Sequence, residues 1–468
     1  MGLEPTTLGT TNRCSNQLSY NHRIKSDDKS KKIKTPTNSF STDVKGYSKN
    51  PRNILSLPTF YELMQFPKFI KQTFVLVISQ VVVIAAGFGI KTLQTRYLGP
   101  ELYGEYAFFA SLTGFLVLFY RFGFFSSLQL LLTEAKEEIQ VKKLQAAGLI
   151  LAIINGVVFS VSLFLLADLI NVWFSTSIGN YLQVLAPLLA VIPFKHFVYA
   201  VSVGTNRTHL MAIFDGASKV LFLLGLLGLI EIHAFNLKYV LIFNLASTLA
   251  LILYIITQLK YNFNQLGYSI QNVFQKTKSY GFNMYLGFTA NQGTYKLDEM
   301  LITLFSGTLI NGFYTLASIL CSPITMFSQS LSNVLFKQFH VQDKIPSKIF
   351  IINTLAAVSY LIALIFLSDF VVELLFGEAY SQVSTYLIPL SFAFLFQALY
   401  QPYMFLASKG KGKTIRNIAF TEAGINLIGN LVFIPIFGVF GAIYTSIVAK
   451  ATHFILKYLA YRAYTKNV

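Results

Sequence analysis

The chain has 468 residues, of which 54% are hydrophobic, 15% aromatic and only 12% charged. Soluble domains carry about 25% charged residues, so a protein this poor in charge cannot clothe a water-facing surface, and a soluble globular enzyme is excluded. A net charge of +17 does not mark a nucleic-acid surface here, because Lys and Arg collect in the N-terminal tail and in alternate loops, the pattern that orients a membrane protein.

Residues 1–62 are rich in Ser, Thr, Asn and Lys, lack hydrophobic periodicity and are expected to form a disordered cytoplasmic tail. No apolar run follows Met1, so the tail is no secretory signal; Met64, just ahead of Lys68 and Lys71, is an equally natural beginning. Apolar runs of about 20 residues, the length that a hydrocarbon core of about 30 Å demands, then recur to the C-terminus. Twelve are predicted, near 73–95, 104–131, 145–168, 180–203, 210–230, 238–258, 282–305, 312–335, 349–368, 382–406, 416–436 and 439–460. They lack the ten-residue alternation of barrel strands, and helices satisfy their own backbone in lipid. The expected fold is an all-α membrane protein: twelve transmembrane helices in two six-helix bundles, residues 63–258 and 282–461, with a cytoplasmic linker at 259–281 and a short tail at 462–468.

Two echoes support the pairing of bundles. Gly99-Pro-Glu-Leu-Tyr-Gly104-Glu-Tyr106 returns as Gly307-Thr-Leu-Ile-Asn-Gly312-Phe-Tyr314, an offset of 307 − 99 = 208, and Tyr181-Leu182-Gln-Val-Leu185 returns as Tyr386-Leu387-Ile-Pro-Leu390, an offset of 205. Tandem bundles around a central site are a plan of transporters. Lysines mark the loops after segments two, six, eight and ten, including Lys142, Lys278, Lys344 and Lys413, while the intervening loops are poor in cations and Arg96, with Lys91 just before it, decorates the first outer turn. Both termini are therefore expected in the cytoplasm. Pro187, Pro193, Pro323, Pro389 and Pro402 fall inside apolar runs, as kinks or as gating hinges.

No phosphate-cradling loop, HExxH or paired cysteine occurs, so neither an enzyme nor a metal or other cofactor is expected. Cys14 lies in the tail and Cys321 reads as a small packing residue. Transport would draw on an ion gradient, a substrate gradient or a partner. Charges inside the spans carry the functional information, since each costs about 2.5–3.5 kcal/mol in a bilayer and needs a wet cavity or a partner. The cations are Arg121, Lys195 beside His196, Lys219, Lys296 and Lys450; the acids are Asp215, Asp298, Glu299 and Glu422. Asp215 and Lys219 could neutralise each other at i, i+4, and Lys195 and Lys219 could snorkel. Arg121, Lys296 and Lys450 sit too deep for that, and Arg121 and Lys296 are expected to face an internal cavity. A cationic cavity suits an anionic substrate, and Arg suits phosphate. Asp215 and Glu422 fall at equivalent positions, 422 − 215 = 207, so they could face each other across the pseudo-twofold axis. Proton uptake by Asp215, Glu422 or Asp298 is a further option.

The run Thr95-Arg96-Tyr97-Leu98-Gly99-Pro100-Glu101-Leu102-Tyr103-Gly104-Glu105-Tyr106-Ala107 resembles the first outer turn of bacterial polysaccharide repeat-unit flippases. Gly307 to Ala317 resembles their seventh-to-eighth helix region, and Ile434-Pro435-Ile436-Phe437-Gly438-Val439-Phe440-Gly441-Ala442 the turn before the last helix. The resemblance covers roughly residues 70–460 and points to the superfamily of multidrug, oligosaccharidyl-lipid and polysaccharide exporters. It implies bundles that open alternately inward and outward in a bacterial cytoplasmic (inner) membrane, moving a polyprenyl-diphosphate-linked oligosaccharide. It also implies membrane lipid, an H+ or Na+ coupling ion, and the polysaccharide polymerase and export machinery as partners. Arg121 and Lys296 become the diphosphate candidates, and Asp298 matches an acid often present in that helix. The family often carries an Arg shortly after the glycine of helix two, whereas Ser126 to Leu132 after Gly123 holds no cation; Arg121 or a contact from elsewhere must serve. A cation-coupled multidrug exporter is the alternative, disfavoured by the five cations. A membrane-embedded glycosyltransferase or polymerase is less favoured still, because the outer loops are short.

Overall fold

The computed structural model describes residues 68–466, and among these every regular element is helical. The expected tail, Cys14 and Met64 lie outside the described residues. The first bundle holds α1 (Lys68–Phe119), α2 (Phe124–Glu134), α3 (Glu138–Phe174), the short α4 (Ile178–Val184) and α5 (Ala186–Leu189), α6 (Val191–Gly204), α7 (Thr208–Glu231) and α8 (Leu237–Gln258). A connecting helix α9 (Leu266–Lys276) runs through a π-helical turn, Thr277–Gly281, into the second bundle. That bundle comprises α10 (Phe282–Ser306), α11 (Thr308–Val341), α12 (Ser347–Phe376), α13 (Gln382–Leu399), α14 (Phe405–Ser408), α15 (Gly412–Phe437) and α16 (Val439–Lys466).

Ten of the described helices are long and apolar enough to cross a membrane, against the twelve predicted segments. Two features account for the difference. The first two segments are joined in α1, although the non-helical backbone of Gly99 divides it into two helices at a kink. Segment seven, now α10, carries Lys296, Asp298 and Glu299 within one turn and is too polar to count. The outer faces are apolar, with Leu165, Val172 and Phe366 more than two-thirds exposed, as a lipid-facing surface requires.

Lipid supplies no hydrophobic force between helices, so close packing must hold them, and the repeated glycines do this work. Gly99 (φ 75°, ψ 171°) and Gly307 (φ 88°, ψ 170°) adopt nearly the same left-handed backbone, which side chains disfavour. Five residues on, their echoes meet each other. A Cβ on Gly104 would stand 2.6 Å from the Thr308 carbonyl oxygen, and one on Gly312 would stand 2.9 Å from Gly104 Cα. The two copies of the motif therefore form one seam between the bundles. Around it Arg96 donates to the Leu374 carbonyl (2.5 Å), Tyr380 Oη to the Thr95 carbonyl (3.0 Å) and Thr308 Oγ1 to Glu105 (3.5 Å).

The opposite end is organised by the connecting segment, which packs on α2 and α3 of the first bundle. Lys276 pairs with Glu134 (2.9 Å), Thr277 Oγ1 donates to Ser127 Oγ (2.9 Å) and Lys143 donates to Gln265 (2.8 Å). Cys321 is fully buried, as expected of a packing residue.

Candidate functional site

The helix carrying Arg121 is broken there. Phe122 (φ 42°) and Gly123 (φ 81°) are both left-handed, and α2 starts afresh at Phe124. Breaking a membrane helix frees carbonyls that lipid cannot satisfy. Here Asn155 Nδ2 donates to the Tyr120 carbonyl (2.5 Å) and Tyr285 Oη to the Phe119 carbonyl (3.4 Å). The break thus has polar support from α3 and α10, and it turns Arg121 towards them. The guanidinium lies 3.7 Å from the centre of the Phe288 ring, and its Nη1 is buried with no hydrogen-bond partner. Arg121 lines a cavity of about 100 Å³ with Ser126, Gln129, His196, Tyr199 and Tyr285.

A larger cavity of about 330 Å³ lies between the bundles, with Lys91, Tyr103, Ser111, Lys296, Glu299 and Ser318 in its walls. Lys296 Nζ is 2.7 Å from Glu299 Oε2, and Ser111 Oγ donates to the same carboxylate at 2.5 Å. Lys296 also lies against Gly114, at ordinary van der Waals distance from where a Cβ would stand. Lys91 is a correction to the sequence reading. It does not decorate an outer turn but sits inside α1, 4.6 Å from the Tyr106 ring centre and 5.3 Å from that of Tyr103, donating to Gln94 (3.1 Å). Such ring faces hold a desolvated ammonium by about 2 kcal/mol.

Lys195 and Asp215 form a 3.5 Å ion pair, and Tyr199 Oη donates to both oxygens of Asp215 at 2.6 Å. Asp215 is therefore matched by Lys195 on α6, not by Lys219 one turn along its own helix. Lys219 forms no ion pair among the described residues. Lys91 and Lys296 thus line one cavity and Arg121 and His196 another, while Lys195 and Lys219 are exposed.

Lys450 shares the wall of a third cavity with Asp298 and Glu299. Its Nζ is 2.6 Å from Glu422 Oε1 inside the second bundle, and His453 Nδ1 contacts the other oxygen of Glu422. Asp215 and Glu422 are each tied within their own bundle by a cation from a neighbouring helix, rather than facing each other. Asp298 is buried beside them, accepting from Asn430 Nδ2 (2.5 Å), Ser446 (3.3 Å) and Tyr314 (3.5 Å). It faces a cavity of about 130 Å³ with Asn426, Gln397 and Lys450. No group of three metal-ligating side chains occurs among the described residues.

The architecture is shared with known transporters. It resembles the lipid II flippase MurJ in an inward closed conformation, at 17% identity over 83% of this chain and 87% of that one, with a TM-score of 0.65. It also resembles an inward-facing multidrug resistance MATE family transporter of the MOP superfamily, at 13% identity, 84% and 99% coverage and a TM-score of 0.61. The eukaryotic MATE transporter AtDTX14 matches at 13% identity, 85% and 98% coverage and a TM-score of 0.56. No curated protein sequence matches the chain. Residues 69–336, more than half of its length, match the family described as polysaccharide biosynthesis protein, and the chain belongs to that family.

Proposed function

We propose that this protein is a flippase that carries a polyprenyl-diphosphate-linked oligosaccharide across a bacterial cytoplasmic membrane, by alternating access of two bundles of six helices each. The observation that carries this reading is the charge of the cavity walls. Lys91, Arg121, Lys296 and Lys450 line the three interior cavities against Asp298 and Glu299, a surplus of 4 − 2 = 2 positive charges, while Lys195 and Lys219 are exposed near Asp215. Burying such a surplus is unfavourable unless an anion enters, and guanidinium and ammonium groups are the ordinary partners of diphosphate. A cation-exporting pump would need the opposite sign. The lysine-rich linker end is the cytoplasmic one on this reading, and the Gly99 end faces outward. Asp298, in its cluster of Asn430, Ser446 and Tyr314, is the acid best placed to take up a coupling H+ or Na+. Membrane lipid and the polysaccharide polymerase and export machinery are the accompanying partners.

Arg121→Ala and Lys296→Ala are each expected to abolish surface polysaccharide while the protein still inserts and accumulates. Normal polysaccharide in both variants would remove the argument. A periplasmic reporter fused after Gly307 should be active and one fused after Lys278 silent.

A further inference from the structure

The pocket at the α1–α2 break holds an unusual amount of unmet hydrogen-bonding capacity. Arg121 Nη1 and both ring nitrogens of His196 are buried and without partners among the described residues, and both side chains line the same space of about 100 Å³. A buried polar atom left unpaired costs about 1–3 kcal/mol, so three in one pocket mark a place built for an occupant. The occupant's charge follows from its surroundings, because the guanidinium of Arg121 is the charged group in the pocket wall, while Lys195 is paired with Asp215. Four side chains there can donate: the guanidinium, the ring N–H of His196, the Ser126 hydroxyl and the Gln129 carboxamide. Tyr199 is already committed to Asp215. The larger cavity differs in this respect, since Lys296 is satisfied by Glu299, whose carboxylate also accepts from Ser111, and Lys91 by Gln94 and two ring faces.

We propose that His196 is a phosphate-reading residue, forming with Arg121 an oxyanion pocket that takes one phosphate group of the lipid-linked substrate. This rests on the flippase reading above and assigns its headgroup to the small pocket instead of the Lys91–Lys296 cavity. Donors from two helices around a space of this size fit a tetrahedral anion, with the Phe288 ring behind the guanidinium holding its plane.

The test is binding of polyprenyl phosphate and polyprenyl diphosphate to the purified full chain in zwitterionic nanodiscs. His196→Ala should weaken both about tenfold, the worth of one hydrogen bond to a charged group, with an unchanged unfolding midpoint. His196→Gln, which restores an N–H donor, should recover most of the loss. Equal binding by wild type and His196→Ala, or a His196→Gln variant as weak as His196→Ala, would overturn the pocket and leave the flippase reading standing. Equal competition by phosphatidylglycerol, lost in His196→Ala, would keep the pocket as a phospholipid-phosphate site and overturn the polyprenyl-diphosphate reading.

Discussion

Lys296–Glu299 and Lys450–Glu422 are both Lys–Glu pairs within membrane-spanning helices, yet burial separates their roles. The Lys296 and Glu299 side chains are 37% and 16% exposed to their cavity, whereas those of Lys450 and Glu422 are 5% and 9% exposed. A pair that water can reach remains free to exchange its partner for a ligand. A pair buried this deeply serves the fold, because removing Lys450 leaves the Glu422 carboxylate with His453 as its one remaining ion-pair partner among the described residues; breaking a buried pair costs about 3–5 kcal/mol. Lys450→Met should therefore lower the unfolding midpoint in detergent markedly, and adding Glu422→Gln should restore most of it. A double variant less stable than Lys450→Met alone would show that the pair is not the reason for the loss. This distinction was not legible in the sequence, where each lysine is simply a cation in an apolar run. Lys91 was missed for a related reason: it lies eight residues before the kink at Gly99, and only the packing of Tyr103 and Tyr106, beyond that kink, against it makes it an interior residue.

The helices themselves were easy to foresee and their interruptions were not. Pro187 and Pro193 announced the divided path of α4 to α6, and Pro402 the tightened turn at Gln401–Met404. Nothing announced the break at Phe122, because a phenylalanine at positive φ has no sequence signature. Such a conformation costs about 1–3 kcal/mol and persists only where surrounding contacts enforce it. One of those contacts is close: a Cβ on Gly123 would stand 2.2 Å from the Gly281 carbonyl oxygen. The Gly104 seam offers a cleaner experiment, since an added side chain meets backbone on the opposing helix, which cannot swing aside. Gly104→Val should force the bundles apart at the Gly99 end. A cysteine placed at Ser318, in the cavity wall, should then react several-fold faster with a membrane-impermeant maleimide from that side. Gly87→Ala, with nothing within 4 Å of its added Cβ, should leave the rate alone. Equal rates for both variants would mean that the seam does not gate access.

The tandem repeat told the sequence reader that two bundles exist, and the matched dihedrals of Gly99 and Gly307 express it directly. An offset of 208 residues could not reveal that the two copies touch, because periodicity carries no information about which surfaces meet. The bundles are joined at the Gly99 end by the glycine seam and the Arg96, Tyr380 and Glu105 hydrogen bonds. At the other end the connecting helix α9 packs on α2 and α3 and runs through the π-turn at Thr277–Gly281 into α10. On the proposed alternating-access reading, opening at the Gly99 end breaks the seam while α9 moves with α2 and α3 about that turn. Paired cysteines separate these ends in a background carrying Cys14→Ser and Cys321→Ala. A disulfide between Glu105→Cys and Thr308→Cys should arrest export, with recovery on reduction. One between Ser127→Cys and Thr277→Cys should leave export near that of the uncrosslinked protein, since both residues belong to the same moving body. Arrest by the second disulfide and indifference to the first would place the pivot at the Gly99 end and reverse the direction in which this structure opens.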